Sequence, residues 1–223
     1  MTDAAAVFAI ARLTAWRFVH GRLPWVGAIV AALPIAFAAA LRGHASFAER
    51  SFEIEELLLV VLPAIAVAAS ITSELDDRAV TYLWSRPLAR WTVMVGKLVV
   101  LAPFVVALVV ASWIVSTAVG AGELASAASI GGLAAGALGA TMTCAGLAIV
   151  APRYGMVLAI VYMLCDGVVG EIPAHIQLIS ITHDAGELAG VTGSSPAIAA
   201  IGLVIVSTAW LAYGMRRIGR LEA

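Results

Sequence analysis

The residues of this chain best suited to polar chemistry are ionic, and many crowd into one stretch. Residues 73–97 read SELDDRAVTYLWSRPLARWTVMVGK and hold four of the thirteen Lys and Arg and three of the fourteen Asp and Glu. Glu74, Asp76 and Asp77 come first, then Arg78. An apolar run with Tyr82 and Trp84 follows, then Ser85, Arg86 and Pro87, and finally Arg90 and Lys97. Charges of both signs in so short a stretch suit directional, charge-assisted hydrogen bonds to a complementary surface. They do not form a catalytic set. The chain has no Gly-x-Ser-x-Gly, no His-Glu-x-x-His and no phosphate-binding loop, since Gly96 and Lys97 precede Leu98 and lack the upstream glycine. It reads as a non-enzyme that binds no cofactor itself. His175, His183, Asp184 and Glu187 have no metal-ligand spacing and read as surface polar residues, so no metal site is expected.

What positions the charged stretch is a pair of long apolar runs, and these belong to a chain that is apolar throughout. Hydrophobic residues make up 62% and charged ones 12%, with mean hydropathy +1.02. Soluble domains carry about 25% charged residues. A soluble fold of this length could not hide so much apolar surface, so the bilayer is the expected solvent. No basic tract suits nucleic acid. Cys144 and Cys165 both lie in apolar runs and form no Cys-x-x-Cys motif.

Apolar runs of roughly 17–25 residues predict six membrane-spanning helices. They cover residues 23–41, 54–73, 98–119, 130–150, 154–169 and 196–213. The second contains Pro63 and the fifth contains Asp166, which makes them the weakest. Backbone polar groups in lipid must be satisfied within the segment, so all six are expected to be helices. The fold class is thus an all-α membrane protein forming one transmembrane domain over residues 1–223.

Sidedness follows from the bases. Arg12, Arg17, Arg22, Arg78, Arg86, Arg90, Lys97, Arg153, Arg216, Arg217 and Arg220 fall on one side, and only Arg42 and Arg50 on the other. Both termini and the 74–97 loop are therefore expected in the cytoplasm of a bacterial-type cytoplasmic (inner) membrane. The outer loops collect Glu49, Glu53, Glu55, Glu56, Glu123, Glu171, Asp184 and Glu187. Trp25, Tyr154, Trp210 and Tyr213 fall near inner span ends, as interfacial aromatics do. The first apolar run is long for a signal-peptide core. Residues 4–20 read as a helix on the inner surface, with Val7, Ile10, Ala11, Thr14 and Phe18 on one face. A plain helical extension is the other reading.

At the charged loop the sequence resembles the type-2 ABC exporter permease family, the membrane subunits of a class of ATP-driven transporters. In that family an acidic cluster closes the second span. An apolar stretch, Ser-Arg-Pro-x-Ser-Arg and a Gly-Lys follow. Here these are Glu74, Asp76 and Asp77, residues 80–84, Ser85, Arg86 and Pro87, Arg90, and Gly96 with Lys97. Arg78 and Ala79 stand where Gly-Thr is common, and Ala89 where Ser is common. The surface helix, the six spans and the closing MRRIGR fit the same pattern. The resemblance implies that the 74–97 loop is a cytoplasmic coupling helix docked in a cleft of a separate ATPase. It further implies two ATPase copies, which bind ATP and Mg, and a second permease, identical or homologous. Binding of anionic headgroups by Arg86, Arg90 and Lys97 is the alternative use of the loop; it leaves the three acids unexplained.

Other residues leave two uses open. Ala128, Gly132, Gly136, Ala140 and Cys144 recur every four residues and form a small-residue ridge. The ridge serves packing within the chain or contact with the second permease. Asp166 is either an interfacial acid facing the outer water or a residue of the substrate path or of span pairing. Residues 171–195 make a long outer loop, with Ile172, Ile176 and Ile179 on one helical face. In the resembled family short helices here dip into the outer leaflet and gate the exit. The function expected is ATP-coupled export of an unidentified substrate; an ion-coupled secondary carrier and a structural membrane anchor are the alternatives.

Overall fold

The computed structural model describes residues 3–44, 47–71, 91–151, 153–172, 175–191 and 195–218, without the side chains of residues 48 and 49. Glu74, Asp76, Asp77, Arg78, Tyr82, Trp84, Ser85, Arg86, Pro87 and Arg90, and with them the expected coupling helix, lie outside these residues.

The described chain is all-helical. In order come α1 (Asp3–His20), α2 (Leu23–Ala40), α3 (Phe47–Pro63) running into a π-helical turn (Ala64–Ala68), α4 (Trp91–Gly120), α5 (Ala127–Val150), α6 (Gly155–Gly170), a 3-10 turn (His175–Ile179), α7 (Ile181–Leu188) and α8 (Pro196–Ile218). Local chemistry explains several boundaries. Pro24 stands in the first turn of α2, where a missing N–H costs nothing. Ser126 caps α5 by accepting from the Ser129 amide at 3.0 Å. Pro63 cannot donate to the carbonyl four residues back, and the backbone widens into the π turn directly after it. That turn is buried at Ala64, Ala66, Val67 and Ala68, whose small side chains let neighbouring helices close on it.

Five segments are long and apolar enough to cross a membrane: Leu23–Ala40, Arg50–Ile71, Trp91–Gly120, Ala127–Val150 and Pro196–Ile218. Those are the helices of a membrane-embedded, multi-pass chain. The 16 residues of α6 rise about 24 Å, less than the roughly 30 Å of a hydrocarbon core. The hydrophobic segment of α5 is 72% buried, against 22% for those of α2 and α8, so α5 is the central post and the other two are peripheral. Trp25, Ile29 and Leu33 on α2 and Ile201, Val204 and Ile205 on α8 are exposed, a pattern that lipid satisfies and water does not.

Close approaches give the directions. Phe47 lies on Gly120 and the Ser112 hydroxyl donates to Glu55, so α3 and α4 run antiparallel, eight residues down one matched by eight up the other. Gly139 faces Ser207 and Gly146 faces Gly214, so α5 and α8 run parallel. One end of the bundle thereby gathers Arg12, Arg17, Lys97, Arg216 and Arg217, and the other gathers Glu53, Glu56, Glu171 and Glu187. They are called the basic end and the acidic end below.

Candidate functional site

At the basic end lie the two roots of the charged loop. Lys97, on the second turn of α4, is 2% exposed. Its Nζ donates to the carbonyl of Ser70, on the helical stretch that continues from α3, and lies 3.5 Å from the Ser70 hydroxyl. Lys97 was expected among the coupling contacts; it is buried and ties α4 to Ser70, on the helical stretch that follows α3. The neighbouring Gly96 serves a different contact. A Cβ on it would lie 2.8 Å from Ile10 Cγ2 and 3.0 Å from the Val7 carbonyl oxygen, so α1 packs directly onto α4 at this point. Phe18 continues that contact, edge-on to Phe104 with ring centroids 4.4 Å apart. The face expected for α1, Val7, Ile10, Ala11, Thr14 and Phe18, is the half-buried one, and it covers α4. Phe8, Trp16 and Val19 remain exposed on the other side.

At the acidic end Asp166, 5% exposed, does not face water. Its Oδ1 accepts from the Ile181 amide at 3.0 Å, and its Oδ2 accepts from the Thr182 amide at 3.0 Å and hydroxyl at 3.1 Å. The Ser180 hydroxyl lies 3.1 Å from the same oxygen. All of these donors belong to the first turn of α7, where free amides and the helix dipole favour an anion. Asp166 therefore fastens α6 to α7.

Three acids placed in outer loops by sequence prove to be buried in helices: Glu55 and Asp184 at 0% and Glu187 at 6% exposure. For Asp184 and Glu187 the cause is α7, which packs against α5 and α8; Glu55 is buried where α3 meets α4. His183 meets Glu187 at 3.1 Å. Glu55 Oε2 accepts from Ser112 at 3.1 Å, while its Oε1 has no partner among the described residues. Both Asp184 oxygens likewise lack one among those residues. Burial pushes the Asp184 carboxyl up to about 8, and the charges of Glu187 and Asp166 add to the rise. No three of His, Cys, Asp and Glu converge as metal ligands among the described residues. The isoleucine face expected at Ile172, Ile176 and Ile179 is exposed, and Ile181 is the one that is buried.

On α5, Gly132 and Gly136 face α7 of the same chain. A Cβ on Gly132 would lie 2.3 Å from the Ala189 nitrogen, and one on Gly136 2.5 Å from Ala185 Cβ. Ala140 is fully buried. Sequence reading missed a second small-residue seam, Gly139 and Gly146 of α5 against Ser207, Trp210 and Gly214 of α8. The seven-residue step from Gly139 to Gly146, repeated from Ser207 to Gly214, was the available signal. Sequence also gave no warning of Glu55, which sits beside two other acids and looks like part of a polar loop.

No protein-family model matches the chain. No curated protein matches it either.

Proposed function

We propose that the chain is the membrane-spanning permease subunit of an ABC exporter. With α6 counted, it crosses the cytoplasmic membrane six times and keeps both termini and the 74–97 loop inside. Two copies of an ATPase, which hold ATP and Mg, grip that loop, and a second permease completes the assembly. The observation that carries this reading is the way the loop is rooted. Its two flanking helices are joined by Lys97 and Ser70, and α1 is locked onto the same point at Gly96. A push on the loop therefore moves α1, α3 and α4 together, which is what coupling requires. The packing of α7 by Asp166 supports a second, opposite element able to respond at the far end.

Purification in mild detergent tests this. An ATPase with a phosphate-binding loop is expected to copurify, and a double change of Glu74→Ala and Arg86→Ala should leave hydrolysis but stop ATP-driven transport. A double variant that transports like wild type removes the role given to the loop. One observation favours an ion-coupled carrier instead: Glu55, buried within a span, has an oxygen with no partner among the described residues. Transport driven by a proton gradient in the absence of ATP would select that reading.

A further inference from the structure

A cleft of about 600 Å³ opens at the acidic end between α3, α6 and α7. Sites for small organic ligands run from about 300 to 1,000 Å³. The cleft is graded. Glu53 and Glu56 on α3 and Glu171 after α6 stand at its upper end, and Glu56 is close enough to both others for their charges to act on it. One to two turns deeper the walls are Val60, Met163 and Leu164. Leu57, Leu164 and Val168 are also exposed, so the apolar half opens sideways onto surface that lipid covers.

Among the described residues no Lys or Arg forms an ion pair with any of the three carboxylates. Residues 51–77 and 154–215 contain no Lys or Arg, so no base on α6, on α7 or in the segments joining them can reach in. Arg50, just before α3's acids, is exposed. His183 also lines the cleft, but it is engaged with Glu187 at 3.1 Å. An anionic occupant would be repelled. A neutral one would desolvate three like charges and give nothing back. A cation with an apolar tail matches both halves: its head meets the carboxylates and its tail follows the gradient into the bilayer-facing wall.

We propose that this cleft binds a single-tailed amphiphilic cation, admitted sideways from the adjoining leaflet. As the site of the exported substrate it rests on the permease reading above; as a binding site it stands without it. Gly167 supplies a second handle on the same cleft. It lines the space, and a Cβ placed on it meets nothing within 4 Å. A large side chain there fills the cleft without disturbing helix packing and leaves every charge in place.

The test is equilibrium binding of radiolabelled dodecyltrimethylammonium to the full chain in phosphatidylcholine nanodiscs, above that of protein-free discs. Saturable binding is expected. The triple change Glu53→Gln, Glu56→Gln and Glu171→Gln should weaken it at least tenfold, and Gly167→Trp should do the same with all three charges retained. Both variants should keep the wild-type elution profile. Dodecyl sulfate and dodecyl maltoside should fail to compete. Absence of saturable binding, equal binding by the folded variants, or equal competition by dodecyl maltoside overturns the proposal. Binding as expected, but no ATP-driven movement of the cation in proteoliposomes with the ATPase, upholds the cleft and sinks the permease reading. ATP-driven transport of some other substrate, with no cation bound, sinks the cleft alone.

Discussion

The two ends of the bundle handle buried charge in opposite senses. At the basic end a cation, Lys97, meets the backbone carbonyl of Ser70. At the acidic end an anion, Asp166, meets the amides that open α7. Asp166 is held by the amides of a helix terminus, which avoids desolvating two ions at once. The ends differ in what is left over. The basic end ties its described buried cation to backbone. The acidic end buries three further acids, and Glu55 and Asp184 keep oxygens without partners among the described residues. One end is built as a brace and the other keeps buried titratable groups.

The largest test of this contrast is Asp166→Ala. It strips the acceptor from two amides and a hydroxyl of α7, and thermal unfolding in detergent should show a loss of about 3 kcal/mol. Lys97→Met keeps the apolar stem and loses the ammonium that donates to Ser70; about 2 kcal/mol is expected. A larger loss for Lys97→Met than for Asp166→Ala would reverse the ranking of the two ends. Gly202→Ala sharpens the picture of the acidic end, because the new Cβ would lie 2.6 Å from Asp184 Oδ2 and 2.6 Å from the Leu178 carbonyl oxygen. Overpacking of this kind costs about 1–2 kcal/mol, and unfolding temperatures unchanged by the methyl would place Asp184 elsewhere.

The smallest effect concerns pH. The Asp184 carboxyl holds its proton more tightly folded than unfolded, its value rising from 3.8 to about 8. The stability from holding this proton is fully present below the ordinary carboxylate value, is lost steadily as pH rises from there to about 8, and is gone above that. Wild-type unfolding temperature should therefore fall between about pH 4 and about pH 8, and Asp184→Asn should flatten that part of the profile. A profile identical in the two proteins would remove Asp184 from the account.

Helix placement was legible in residue order. The first apolar run was read as 23–41 and is Leu23–Ala40; the fourth was read as 130–150 and is Ala127–Val150. The inward face of α1 was legible too, because Val7, Ile10, Ala11, Thr14 and Phe18 repeat at helical spacing. Harder to read was the stretch after Gly170, where the exposed Ile172, Ile176 and Ile179 mimic a core face while Ile181 is the buried one. Eight residues of α7 are too few for periodicity to identify the buried side, and two helix neighbours decide it.

Residue order alone determined that this chain is helical and lipid-solvated, since hydropathy and spacing are local properties summed along a segment. Only the tertiary structure decided which acids are buried, that Asp166 meets the opening amides of α7 and Lys97 the carbonyl of Ser70, and that three carboxylates share one cleft. The partner of a buried charge is whichever backbone group lies beside it in space, and that neighbour can be many residues distant along the chain.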